Sequence, residues 1–169
     1  MSAVALMVVA LIVAGCGFEP LYGGKQGGAP HGQLASVKVQ TIPGRVGQQV
    51  HNYLLDRINS AGRPAVPLYL LAVDLDVQQV SLSIEQDETA TRAKVVFLAN
   101  FELQDIATGD VLLSRLARST NTYNIVDSAV QTRSAEQDAI DRAARQVSDE
   151  ISLILSLYFR RQAAQTSAR

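Results

Sequence analysis

The stretch AKVVFLANFELQDIATGDVLLSRL, Ala93 to Leu116, decides the fold. Ala93, Val95, Phe97, Ala99, Phe101 and Leu103 recur at every second position, the signature of a strand with one buried face. Ala107-Thr108-Gly109-Asp110 then reads as a hairpin turn, with Gly109 free to take a positive backbone angle. A return strand runs from Val111 to about Ile125. If Ile106 faces Val111, Glu102 lies opposite Arg115 and Phe101 opposite Leu116. That places a charge pair on one face of the hairpin and an apolar pair on the other.

Working outward, Leu71, Val73, Leu75 and Val77 alternate with Ala72, Asp74 and Asp76, so this strand has one wet face. The apolar set then changes parity to Val80, Leu82 and Ile84, which predicts a bulge or kink at Gln78 to Val80. Glu85 to Thr89 is a polar loop. Ser36 to Ile42 reads as a short strand stopped by Pro43-Gly44. Val46, Val50, Leu54 and Ile58 mark an amphipathic helix closed by Gly62 and Pro64. Ser134 and Gln137 resemble a capping box. Beyond it Ile140, Ala144, Val147, Ile151, Ile154 and Tyr158 form a long helical stripe, ending near Arg160 and Arg161. Leu153, Leu155 and Leu157 widen its apolar surface. The expected fold is α+β: a two-layer sandwich of a mainly antiparallel four-stranded sheet with two helices packed on one face, in the order β-α-β-β-β-α. It forms a single domain over residues 33–161, followed by a disordered tail at 162–169.

Little in the chain points to catalysis. There is no G-x-S-x-G, no phosphate-cradling glycine loop between strand and helix, and no histidine placed to serve a cysteine. Asp74-x-Asp76 has the spacing of a metal bite, but strand alternation already accounts for both carboxylates as a solvated face. His51 lacks a partner His, Cys or acid at metal spacing, so it reads as a surface or rim histidine. No enzyme, metal or cofactor is expected. The 169 residues carry 15 basic and 16 acidic side chains, for a formal net charge of −1. Without a basic field, bulk nucleic-acid binding is not expected. Apolar residues make up 47% and charged residues 18%, a composition suited to burying surface against a partner or lipid.

The amino-terminal segment points to the cell envelope. From Met1 to Phe18 no side chain is charged. As a helix this run would span about 27 Å, short of the roughly 30 Å hydrocarbon core, and Gly15-Cys16-Gly17 weakens its end, so a spanning anchor is the lesser reading. Ala3 to Val13 has the length of a signal-peptide apolar region, with small residues after it. Val13-Ala14-Gly15-Cys16 resembles the bacterial lipobox recognised by lipoprotein signal peptidase. That resemblance implies a signal peptide over residues 1–15 and acyl chains, palmitate among them, on Cys16, the only cysteine in the chain. Two or three chains on one residue make desorption negligible, since each buried methylene contributes about 0.8 kcal/mol. Gly17 is not the aspartate that retains lipoproteins in the inner membrane, so the outer membrane is implied. The lipidated end and a glycine-rich flexible tether fill residues 16–32; the glycine-rich part, Gly23 to Gly32, reaches roughly 18 Å as a coil.

Several segments taken together resemble the lipopolysaccharide-assembly lipoprotein LptE in its alphaproteobacterial form. They are Cys16-Gly17-Phe18-Glu19-Pro20-Leu21-Tyr22-Gly23, Gly47-Gln48-Gln49 with Leu54-Leu55-Asp56-Arg57, and Thr108-Gly109-Asp110-Val111-Leu112. Arg118-Ser119, Tyr123-Asn124 and Ala135-Glu136-x-Asp138-Ala139-x-x-Arg142-Ala143-Ala144 follow in order. The resemblance implies a lipid-anchored protein at the periplasmic face of the outer membrane. There it would partner the LptD β-barrel as plug and assembly factor, bind lipopolysaccharide on its way to the outer leaflet, and catalyse no reaction. A structural or adaptor lipoprotein with another envelope partner is the alternative. Lipopolysaccharide offers phosphates and acyl chains, so cations beside apolar side chains are the residues to look for. In the register above, Arg92, Lys94 and Arg115 share a face with Val96 and Leu98, while Arg118 falls on the opposite face. Arg92 and Lys94 are the leading candidates.

Overall fold

A computed structural model describes residues 29–60, 64–82 and 91–167. The elements run α1 (Ala29–Ala35), β1 (Val37–Val39), α2 (Gly44–Ile58), β2 (Tyr69–Leu82), β3 (Thr91–Asp105), β4 (Val111–Ile125) and α3 (Ala129–Ser167). The four strands form one sheet in the order β1-β2-β3-β4. β1 runs parallel to β2, because α2 carries the chain back across, and the β2–β3 and β3–β4 pairs are antiparallel. The sheet is therefore mixed, and among the described residues three helices accompany it where two were expected.

The extra helix, α1, lies partly inside the segment read as tether, so residues before Gln33 are helical. Buried Leu34 anchors it and α1 packs on α3, a tertiary gain that glycine-rich composition does not reveal. At the other end α3 continues through Ser167, so residues 162–167, read as tail, are helical. α3 also starts earlier than expected. Ser128 is its cap: the Ser128 Oγ accepts from the Gln131 N–H at 3.4 Å, and the Ser128 carbonyl accepts from the Thr132 N–H. Ser134 lies within the helix. Ser128-x-x-Gln131 has the same capping pattern one and a half turns upstream.

β3 behaves as its alternation predicts. Val95, Phe97, Ala99, Phe101 and Leu103 are all buried and face the helices. With Leu71, Val73 and Ala117 from neighbouring strands, they meet Val50 and Leu54 of α2 and Ala143, Val147, Ile151, Leu155 and Phe159 of α3. Full burial of a phenylalanine such as Phe97 contributes about 1.5–3 kcal/mol. Small residues let α2 and α3 approach closely: Ala144 and Ser148 are fully buried, and the Ser148 hydroxyl donates to the Ala144 carbonyl at 2.8 Å.

Two register expectations are corrected. β2 pairs with β3 without interruption from Tyr69↔Asp105 to Leu82↔Arg92, so there is no bulge at Gln78 to Val80. The irregularity lies instead between Leu103 and Gln104: Leu103 pairs with Leu113 but Gln104 with Val111, which leaves Leu112 as an extra residue on β4. The cause is the turn. The Asp105 carboxylate accepts from the Ala107 N–H at 2.8 Å, and the Asp105 and Gly109 N–H groups close the loop on Asp110 and Asp105 carbonyls. Gly109 takes φ 76° there, a conformation open to glycine. Glu102 therefore faces Ser114, and Phe101 faces Arg115, one residue away from the expected pairing.

Candidate functional site

All three helices lie on the face of the sheet that holds Phe97 and Phe101. The opposite face is built from even-numbered residues of the three long strands, and no described element covers it. Its rows follow from the register: Leu82–Arg92–Asn124, Val80–Lys94–Thr122, Gln78–Val96–Thr120 and Asp76–Leu98–Arg118. Beyond them come Asp74–Asn100–Leu116 and Ala72–Glu102–Ser114. The face is thus polarised along the strands, with cations at one end and carboxylates toward the other.

Arg92, Lys94 and Arg118 share this open face. Arg118 is about 14 Å from Lys94, four residues along and one strand across. Arg118 was expected on the other side and Arg115 on this one; the extra Leu112 exchanges them. Arg115 lies on the helix-side face, its guanidinium donating to the Ser114 carbonyl at 2.9 Å, and Glu102 accepts from the Ser114 hydroxyl instead of pairing with Arg115. Among the described residues none of the four cations forms an ion pair. Val80 is 39% exposed and Val96 only 4%, so the cations stand beside apolar surface that ranges from open to sheltered. Such a surface can meet anionic oxygens at Arg92, Lys94 and Arg118 and hydrocarbon at Val80, Leu82 and Leu98. Val80 closes the segment expected to bulge or kink, and Leu82 follows it; as even-numbered residues of an uninterrupted strand both belong to this patch.

The other candidates fall elsewhere. Val13, Ala14, Gly15 and Cys16 lie outside the described residues, as does the Glu85 to Thr89 loop. Asp74 and Asp76 sit on the open face, where Asp76 accepts from the Gln78 amide at 2.7 Å. His51 is buried rather than at the rim, and its Nδ1 donates to the Gln40 carbonyl at 3.1 Å. It borders a cleft of about 330 Å³ with Lys38, Thr41 and Asn59, where the Asn59 amide donates to the Val37 carbonyl and ties α2 to β1.

On the helix layer the phenol of Tyr53 in α2 donates to Asp141 in α3, and Arg145 donates to the same carboxylate at 2.9 Å. The guanidinium carbons of Arg57 and Arg145 lie 5.6 and 5.0 Å from the Tyr53 ring centre, and Arg57 also pairs with Asp149. Hydrogen bonding from Tyr53, then the Arg145 contact, holds the Asp141 carboxyl below its ordinary range against the opposing effect of burial. The i, i+4 spacing of Asp141 and Arg145 was visible in the sequence; their meeting with Tyr53 was not. No described helix is long and apolar enough to cross a membrane.

Comparison with known proteins agrees with this architecture. The chain is 22% identical over 157 residues to an uncharacterised protein of Rickettsia prowazekii (strain Madrid E), covering 93% of this chain and 97% of that one. A crystal structure described as a lipoprotein from Caulobacter crescentus CB15 is similar with a TM-score of 0.63 at 22% identity, covering 78% of this chain and 96% of that one. A homologue of a neuraminyllactose-binding haemagglutinin from Helicobacter pylori shares the fold at a TM-score of 0.54 and 13% identity, covering 78% and 84%. The family model for lipopolysaccharide assembly, LptE, matches residues 33–153, all four strands of the sheet and the greater part of α3. By that match the chain belongs to the LptE family of lipopolysaccharide-assembly proteins.

Proposed function

We propose that this protein is an outer-membrane lipoprotein, held at the periplasmic face through acyl chains on Cys16, that partners an LptD-like β-barrel as plug and assembly factor and binds lipopolysaccharide during its transport outward. It has no catalytic role in this reading. Family membership supports the assembly role, and the open sheet face is the observation that carries the lipid role. Arg92, Lys94 and Arg118 would hold phosphate through charge-assisted hydrogen bonds, and Val80, Leu82 and Leu98 would shelter the adjoining acyl chains. Arg115, turned to the helix side, stands outside this set.

Reversal of both charges in Arg92→Glu with Lys94→Glu is the direct experiment. Lipopolysaccharide binding should weaken while a large β-barrel still co-purifies at equal stoichiometry. Unchanged binding removes these residues from the lipid site, and recovery of cell-wall factors in place of a barrel removes the partner assignment. Mass spectrometry of the mature amino terminus should find acylated Cys16 as the first residue; an intact Met1 would defeat the anchor.

A further inference from the structure

The two edges of the sheet are treated differently. On the β4 edge the Arg118 N–H points away from β3 and is taken by Glu150 of α3 at 3.0 Å. Gln146 of α3 also reaches Ser119 and Asn121 at 2.8 and 2.9 Å. On the other edge β1 has only three residues, and it pairs with Tyr69, Leu70 and Leu71 alone. The last contact is from the Gln40 N–H to the Leu71 carbonyl at 2.9 Å, after which Pro43-Gly44 turns the chain into α2.

The direction of the remaining β2 groups follows from parity. The Leu71 carbonyl faces β1, whereas the Leu68 carbonyl faces the β3 side, where it accepts from the Ile106 N–H at 3.0 Å. Within a strand the N–H and C=O of one residue point the same way and successive residues alternate. Val73, Leu75, Val77, Gln79 and Ser81 therefore direct both groups outward, and no described residue bonds them. An unpaired row of this length is a template for another strand unless charge or cover protects it. The charges beside it are Asp74 and Asp76, both exposed on the open face, and, at the far end, Glu136 of α3, which accepts from the Gln79 amide at 2.8 Å, while Val73, Leu75 and Val77 face the helix side.

We infer that the β2 edge from Val73 to Ser81 receives an extended segment of a partner protein by strand addition, a segment whose alternate residues are apolar and basic. β1 already shows the pattern in miniature. Val37 and Val39 are buried on the helix side and Lys38 is exposed on the open face, opposite Leu70. A segment continuing that pattern past Gln40 sets apolar residues beside Val73, Leu75 and Val77 and Lys or Arg beside Asp74 and Asp76. A second copy fits poorly. β2 contains no Lys or Arg, so β2 against β2 adds four carboxylates to one shared flank, and on the β4 edge the outward N–H of Arg118 is already taken by Glu150.

The test uses the full-length chain in detergent with two synthetic probes, a capped heptapeptide alternating Val and Lys and its Val and Glu counterpart. The basic peptide should bind, and binding should protect the amides of Val73, Leu75, Val77, Gln79 and Ser81 from exchange while leaving the even-numbered ones unchanged. Val77→Pro with Gln79→Pro removes two outward N–H groups that bond no described residue, so the sheet should persist by circular dichroism. The peptide affinity of this variant should fall roughly tenfold or more. Asp74→Lys with Asp76→Lys should exchange the preference between the two peptides. Binding that ignores the prolines would be charge attraction without strand addition and overturns the inference, as does the absence of binding or of alternating protection.

Discussion

Tyr53 donates its phenolic hydrogen to Asp141, joining α2 to α3 through a polar contact beside the Arg57–Asp149 ion pair. Two guanidiniums lie near the ring of Tyr53 and the carboxylate is shared with Arg145, and the hydrogen bond raises the Tyr53 pKa while it lowers that of Asp141.

This contact fixes the sign of one pH effect. A carboxyl whose folded pKa lies below its ordinary 3.8 contributes stability above that value and loses it as the pH falls through the lowered pKa. Asp141→Asn should therefore lower the melting temperature at neutral pH and flatten the decline on acidification. Tyr53→Phe should act in the same direction. Thermal unfolding followed from neutral pH into the acid range checks this, and equal acid slopes for variant and parent would count against it.

Arg118 and Arg115 provide a comparison internal to β4. They are three residues apart but lie on opposite faces of the sheet. Arg118→Glu should weaken lipopolysaccharide binding roughly fivefold, about 1 kcal/mol for an exposed charge contact, and Arg115→Glu should leave it unchanged. Direct binding measurements on the two variants at the same ionic strength decide between the open face and the helix face.

Gly47 tests the packing of α2 on the segment that precedes it. A Cβ at this position would lie 2.8 Å from the Ile42 Cγ2 and 2.9 Å from the Ile42 carbonyl oxygen. Gly47→Ala should destabilise the fold by about 1–3 kcal/mol, read from urea unfolding. Adding Ile42→Ala should destabilise further, since Ile42 is itself buried and its truncation leaves a cavity, while the clash with its backbone oxygen remains.

The readable parts of the fold are those where local pattern and burial coincide. β3 is buried on one side along most of its length, and its alternation from Ala93 to Leu103 gave away both the strand and its inner face. β2 reaches the margin of the helix layer near its end, where the Gln79 amide donates to Glu136 of α3 at 2.8 Å. Gln79 and Ser81 there occupy inner-face positions yet are exposed, so the parity change at Val80 reported the end of cover and not a bulge. The hairpin register depended on a carboxylate: Asp105 draws the turn amides inward, and nothing in the apolar pattern marks Leu112 as extra. The cationic face was half legible for the same reason. Arg92 and Lys94 share a strand and stay together in any register, whereas the side taken by Arg118 depends on pairing.

The extra residue at Leu112 sets the phase of β4. Arg118 is six residues, or about 20 Å, further along the strand, yet the side of the sheet it occupies is decided at the hairpin. A change of one residue in the length of that hairpin would turn the whole of β4 over, moving Arg118 toward the helices and Arg115 into the open. A change of two would restore the pattern. The chemistry of the open face is thus encoded partly in a count of residues, and a length change at the turn can invert it without altering a single charged side chain.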